Sequence, residues 1–138
     1  MRFAQISDRV EVDGSTAGAV GLRAFPGTWV NSNPDTKSIA RIVMSESDGN
    51  LALQVSAIGP EGLIDWGKVS AEVFTATPSL RVGAGFTCLY DFGFAETRLQ
   101  GMLMKGLLVL SQFHSFKDDS KRADYFLREY FAMAHGRY

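Results

Sequence analysis

The sequence predicts an all-β protein, an antiparallel up-and-down β-barrel of about eight strands. Three observations support this fold class. Apolar and polar residues alternate with the period of a half-buried strand, turn-forming residues bound each short segment, and every visible connection is short and sequential. Such a meander closes naturally into a barrel because closure removes both exposed sheet edges. A sandwich of two sheets is the alternative.

The chain divides into an N-terminal arm or strand over residues 1–24, whose structure stays open, and a barrel over residues 25–138. Charged residues within 8–13 interrupt the apolar core that a signal peptide needs. The most apolar segment, "GMLMKGLLVLSQF" (101–113), contains Lys105 and is shorter than the roughly 20 residues that span a bilayer. We therefore expect a cytoplasmic protein with no membrane partner.

Charge and cysteine content exclude several classes of site. The net charge of −1 gives no electrostatic reason to expect a nucleic-acid partner. Cys88 is the only cysteine, so the chain has no internal disulfide and no zinc site built from cysteines. No metal-ligand spacing and no phosphate-binding glycine loop is present in the sequence. We expect neither a metal nor a cofactor.

The best-defined element is a β-hairpin over residues 40–57. The Asp48-Gly49 pair suits its tight turn, because glycine accepts a positive φ. Gln54 and Ser56 are expected to face water. The residues expected on the buried face are Ala40, Ile42, Met44, Leu51, Leu53, Val55 and Ala57.

Further strands follow with the same alternation. After a turn at residues 59–62, Val69, Ala71 and Val73 are expected to face the core, and residues 65–67 ("DWG") form a turn before them. The segments "GFTCLYDFGF", "AETRLQGMLM" and "GLLVLSQFHSF" are rich in strand-forming residues. "DYFLREYFAM" at the C-terminus could also be helical, but its aromatic residues favour a strand.

Gly27-Thr28-Trp29 resembles the Gly-x-Trp signature that opens the first strand in lipocalins and the wider calycin superfamily. The resemblance implies a calycin-like barrel in which Trp29 lies near one end and stacks on Arg128 of the last strand. The second lipocalin signature, a Thr-Asp-Tyr turn, is missing. The "DWG", "FGF" and "YFLREYF" segments also resemble a group of small bacterial proteins, a resemblance that implies no activity.

The strands over residues 96–114 carry polar and apolar residues on both faces. Either polar groups project into a hydrated lumen, or apolar groups on the outer face form a subunit interface, such as that of a homodimer. The first interpretation gives a set of candidate ligand-binding residues: Phe86, Tyr90, Gln100, Met102, Met104, His114 and Tyr130.

Three functions are compatible with these features. The first is binding of a small apolar or amphipathic molecule in the lumen. The second is a cofactor-free cyclase or isomerase that uses the same cavity, with His114 and Tyr90 as catalytic acid–base groups. The third is an interaction module whose outer apolar face binds a partner.

Overall fold

The structure is a computed structural model that describes residue 5 and residues 21–134. The described residues are all-β, and their eight strands form one closed barrel in which each strand pairs antiparallel with the next and β8 pairs with β1. The strands are β1 (Gly27–Asn31), β2 (Ile39–Ser47), β3 (Asn50–Gly59), β4 (Gly62–Thr75), β5 (Gly83–Asp91), β6 (Ala95–Met104), β7 (Leu107–Phe116) and β8 (Tyr125–Met133). The predicted up-and-down barrel is confirmed, and the C-terminal segment is a strand.

The β2–β3 hairpin has the predicted turn and the predicted buried face on β3. Asp48 and Gly49 both have positive φ, 53° and 79°, the geometry that matches the twist of the flanking strands. Leu51, Leu53 and Val55 are at most 1% exposed. Gln54 and Ser56 alternate with them on the outer face and are half-buried. Lys105 and Gly106 form a second turn with positive φ, between β6 and β7.

Two irregularities in the ladder depart from the sequence prediction. The register shifts between Ile39 and Arg41, so Ile39 is fully buried while Ala40, expected inside, is half-buried. Residues 65–67 are part of β4 and produce a second register shift opposite β3, instead of a turn before the strand. Gly67 has φ 80°, and its N–H donates to Asp65 Oδ1 at 2.8 Å. Such bulges bend a strand and re-aim its side chains.

The barrel is closed at the end where β5 begins. Gly21 forms a bridge with Val82, and the chain then turns so that Leu22 and Phe25 are buried. The ring of Phe25 packs edge-on against Phe86 with centroids 5.9 Å apart. Residues 21–24, left open by the sequence, thus contact the barrel. Residues 1–4 and 6–20 of the predicted N-terminal segment lie outside the described residues.

Trp29 and Arg128 do not stack, and this prediction is wrong. Trp29 lies inside the barrel near its closed end, where the indole N–H donates to the carbonyl of Phe25 at 2.8 Å. Side chains alternate along a strand, and Phe131 of β8 is the fully buried neighbour of Asn31 in β1. Arg128 therefore points outward, with its guanidinium 6.0 Å from the ring centroid of Phe126.

Candidate functional site

A cavity of about 590 Å³ occupies the end of the barrel opposite Phe25. It lies where β5 and β7 end and where β2, β6 and β8 begin. We call it the mouth cavity. Five aromatic residues form its aromatic wall: Trp66, Phe92, Phe94, Phe116 and Tyr125. Between this cavity and the end closed by Phe25, the described residues form a packed apolar core.

The aromatic wall is held by contacts among its own rings and with neighbours. Trp66 packs edge-on against Phe92 at 5.0 Å between centroids, and both rings contact Tyr90 below them. The guanidinium of Arg122 lies 4.2 Å from the centroid of Phe116. Phe94 and Tyr125 line the cavity and remain about half exposed, so part of each ring is open to a ligand.

The mouth cavity also carries a continuous polar network, which adjoins the aromatic wall where His114 stacks on Tyr125. Glu129 Oε2 accepts a hydrogen bond from Thr36 Oγ1 at 2.6 Å, and Glu129 Oε1 accepts one from Gln112 Nε2 at 3.2 Å. Gln112 Oε1 accepts from Ser38 Oγ at 2.9 Å and lies 3.2 Å from His114 Nε2. Thr97 Oγ1 lies 2.9 Å from His114 Nδ1. The six residues of this polar network come from β6, β7, β8 and the β1–β2 loop.

The β1–β2 loop is fixed in place by a buried amide. Asn31 is 7% exposed, and its Nδ2 donates to the carbonyl of Ile39 at 2.9 Å. Its Oδ1 accepts from the backbone N–H of Asn33 at 2.8 Å. These two bonds satisfy one backbone group of the loop and one of the first residue of β2, and they hold Thr36 and Ser38 over the cavity.

The network fits one tautomer of the neutral His114 ring. Gln112 Oε1 is an acceptor, so His114 Nε2 must carry the proton in this bond, and Nδ1 then accepts from the Thr97 hydroxyl. Burial lowers the pKa of His114 below its ordinary value of 6.5, which favours the neutral ring. The imidazole also stacks on Tyr125, with centroids 4.4 Å apart.

We expect the free energy of unfolding to fall as the pH is lowered from 7 to 5. In this range the unfolded chain takes up a proton on His114 near pH 6.5, while the folded protein resists protonation because its pKa is lower. The contribution is at most about 1.4 kcal/mol per pH unit. Urea unfolding of the wild type and of His114→Gln at pH 5, 6 and 7 measures it. An unchanged pH dependence in His114→Gln would contradict the assignment.

Only one of the predicted ligand-binding residues lines the mouth cavity, namely His114. Phe86 and Tyr90 are inside the barrel as predicted, but they belong to the packed core. Four residues were placed on the wrong face. Gln100, Met102, Met104 and Tyr130 lie on the outer surface, because the inner positions of β6 and β8 are the odd-numbered ones.

The two predicted acid–base groups are both engaged in hydrogen bonds. The hydroxyl of Tyr90 lies 2.7 Å from the carbonyl of Gly67 and 3.3 Å from that of Leu53. Burial raises the pKa of Tyr90 well above its usual range. His114 uses both ring nitrogens within the polar network. Neither group presents a free nitrogen or hydroxyl to the cavity in this arrangement.

Five residues of the polar network were not predicted as site residues from the sequence: Thr36, Ser38, Thr97, Gln112 and Glu129. Gln112 could have been found, because it shares a face with Leu108 and Leu110, which are fully buried. Glu129 gave a weaker signal. It lies two residues before Phe131 in β8, so the two side chains share one face of the strand. The loop residues gave none, because their position depends on the closure of the barrel.

Other site types receive no support from the described residues. Within residues 5 and 21–134, no group of three or more His, Cys, Asp or Glu side chains is placed to hold a metal ion. Cys88 is buried, and burial raises its pKa to about 12, so it is a poor nucleophile. No helix among the described residues is long and apolar enough to cross a membrane. Comparison with protein-family models, curated proteins and solved structures found no match.

Proposed function

We propose that this protein binds a small amphipathic molecule in the mouth cavity. The observation that carries the proposal is the lining of the cavity, which combines an aromatic wall with a polar network above a packed core. Ligand sites are typically concave, mostly apolar and equipped with a few fixed polar groups. Apolar contact contributes about 25 cal/mol per Å² of buried surface before the costs of association.

Calycin-like membership is part of the same proposal. The closed eight-stranded meander and the position of Trp29 near one barrel end support it. The outward position of Arg128 does not. A cytoplasmic location also stays a prediction.

The cyclase or isomerase hypothesis has less support. It requires an acid–base group that can reach a substrate, and His114 is bonded through both nitrogens. Catalysis by this ring would require the bond to Gln112 or the bond to Thr97 to break first.

A second candidate function is supported by the outer wall. Phe74, Gly85, Met102, Val109 and Tyr130 are cross-strand neighbours on the outer face from β4 to β8. Phe74, Met102 and Tyr130 are each about half exposed. An exposed apolar row of this kind favours an interaction surface, for a homodimer or another partner.

Native mass spectrometry of freshly purified protein tests both candidates. We expect a co-purified small molecule on the wild type and its loss in Ala95→Leu, because Ala95 lines the cavity and a leucine side chain would fill part of it. Ala132→Leu adds the same atoms to the outer face and should keep the bound mass. Bound mass retained at the wild-type level in Ala95→Leu would place the ligand elsewhere. A species of twice the monomer mass would support the homodimer.

A further inference from the structure

The carboxylate of Glu129 lies in the cavity without a positively charged partner. Both of its oxygens accept from neutral groups, the hydroxyl of Thr36 and the amide of Gln112. The ion pairs found among the described residues do not include Glu129. A half-buried negative charge with neutral partners only is incompletely compensated. A cation that binds beside it would complete the compensation.

The hydroxyls and the imidazole of the polar network donate their protons within the network, while the carboxylate of Glu129 offers acceptors to the cavity. The hydroxyls of Thr36, Ser38 and Thr97 can each donate once, and each donates within the network. His114 donates its single ring proton to Gln112. The carboxylate oxygens of Glu129 keep unused lone pairs. A ligand therefore meets this side of the cavity best with a hydrogen-bond donor.

The other charged groups of the cavity do not compensate Glu129. Arg122 bonds through its guanidinium to Asp118 at 3.2 Å and to Ser120 at 2.9 Å. Lys37 and Asp35 lie on the exposed β1–β2 loop and carry opposite charges. The local balance of charge thus leaves the Glu129 carboxylate as the unmatched group.

The aromatic wall adds a second feature that suits a cation. Ring faces attract ammonium groups through their quadrupole, most strongly where water is excluded. Tyr125 and Trp66 both line the cavity that contains Glu129. The same rings provide an apolar surface for the body of a ligand.

We propose that the ligand of the mouth cavity is an amine with an apolar or aromatic body, whose ammonium group binds the carboxylate of Glu129. This inference rests on the proposed function and specifies the chemical class of the ligand. The amine donates to Glu129, its body packs against the aromatic wall, and a carboxylic acid of the same size is rejected.

Isothermal titration calorimetry with three matched probes tests the proposal: 2-(1-naphthyl)ethylamine, 2-(1-naphthyl)ethanol and 1-naphthylacetic acid. We expect the amine to bind about tenfold or more tightly than the alcohol, since charge-assisted hydrogen bonds are the stronger ones. The acid should bind most weakly. Equal affinities, or a preference for the alcohol or the acid, would overturn the amine assignment and leave the binding function standing.

Glu129→Gln provides the variant test. It should remove the preference for the amine over the alcohol, whereas Glu72→Gln, on the exposed outer face of β4, should retain it. Circular dichroism verifies folding. If Glu129→Gln does not fold, the comparison of the three probes on the wild type still tests the amine assignment. A preference retained in folded Glu129→Gln would overturn the proposal. Failure of all three probes to bind would also overturn it, and the native mass spectra would then decide separately on the binding function.

Discussion

Phe25→Ala is expected to lower the free energy of unfolding by about 3–5 kcal/mol, the range found for large core aromatics. Phe25 is fully buried and closes one end of the barrel against Phe86. Its backbone carbonyl also accepts the indole N–H of Trp29. Truncation therefore removes apolar contacts, leaves a void beneath the chain at residues 21–25 and loosens a buried hydrogen bond.

Phe74→Ala is the matched control, because Phe74 is 51% exposed on the outer wall. Its truncation should cost less than about 1 kcal/mol. Urea unfolding monitored by circular dichroism measures both variants. A small effect of Phe25→Ala, similar to that of Phe74→Ala, would mean that the closed end contributes little to stability.

The sequence predicted the strands well because local signals determined them. The β2–β3 hairpin combines alternation with an Asp-Gly pair, and the two signals agree on the register. Phe25 had no such signal. It precedes the first strand, and its burial depends on contacts with Phe86, which is remote in the sequence. A tertiary contact of this kind leaves no periodic pattern.

The orientation of β6 could not be predicted from size and polarity alone. The large methionines Met102 and Met104 point outward, while the position of Gly101, next to Met102, faces inward. The reason is the ring of Phe86, which occupies the space that a side chain at Gly101 would need. The space inside the barrel is already filled by the neighbouring strand, and an isolated strand sequence does not contain that information.

The candidate site was predicted in part for a related reason. His114 was identified from its residue type, and it does line the cavity. Other members of the polar network belong to segments far away in the chain, such as Thr36 in the β1–β2 loop and Glu129 in β8. Only closure of the barrel through the β1–β8 pairing brings these segments together.

Gln112→Leu is expected to lower the free energy of unfolding by about 2–4 kcal/mol, although leucine has a similar volume and is more apolar. Gln112 is fully buried and joins three groups, Ser38, His114 and Glu129. A leucine would leave all three without this partner, and each buried polar group left unsatisfied costs about 1–3 kcal/mol. Burying a leucine side chain is more favourable than burying a glutamine side chain, and this gain offsets part of the cost.

Gln100→Leu is the matched control, because the two strands lie side by side and Gln100 is on the exposed outer face of β6. It should change stability by less than about 0.5 kcal/mol and leave binding of 2-(1-naphthyl)ethylamine unchanged. Gln112→Leu should weaken that binding as well, since Glu129 loses the amide that positions its carboxylate. Urea unfolding and calorimetry on the two variants separate these effects. If Gln112→Leu were as stable as Gln100→Leu, the polar network would not be a structural unit, and Glu129 would have to be held by Thr36 alone.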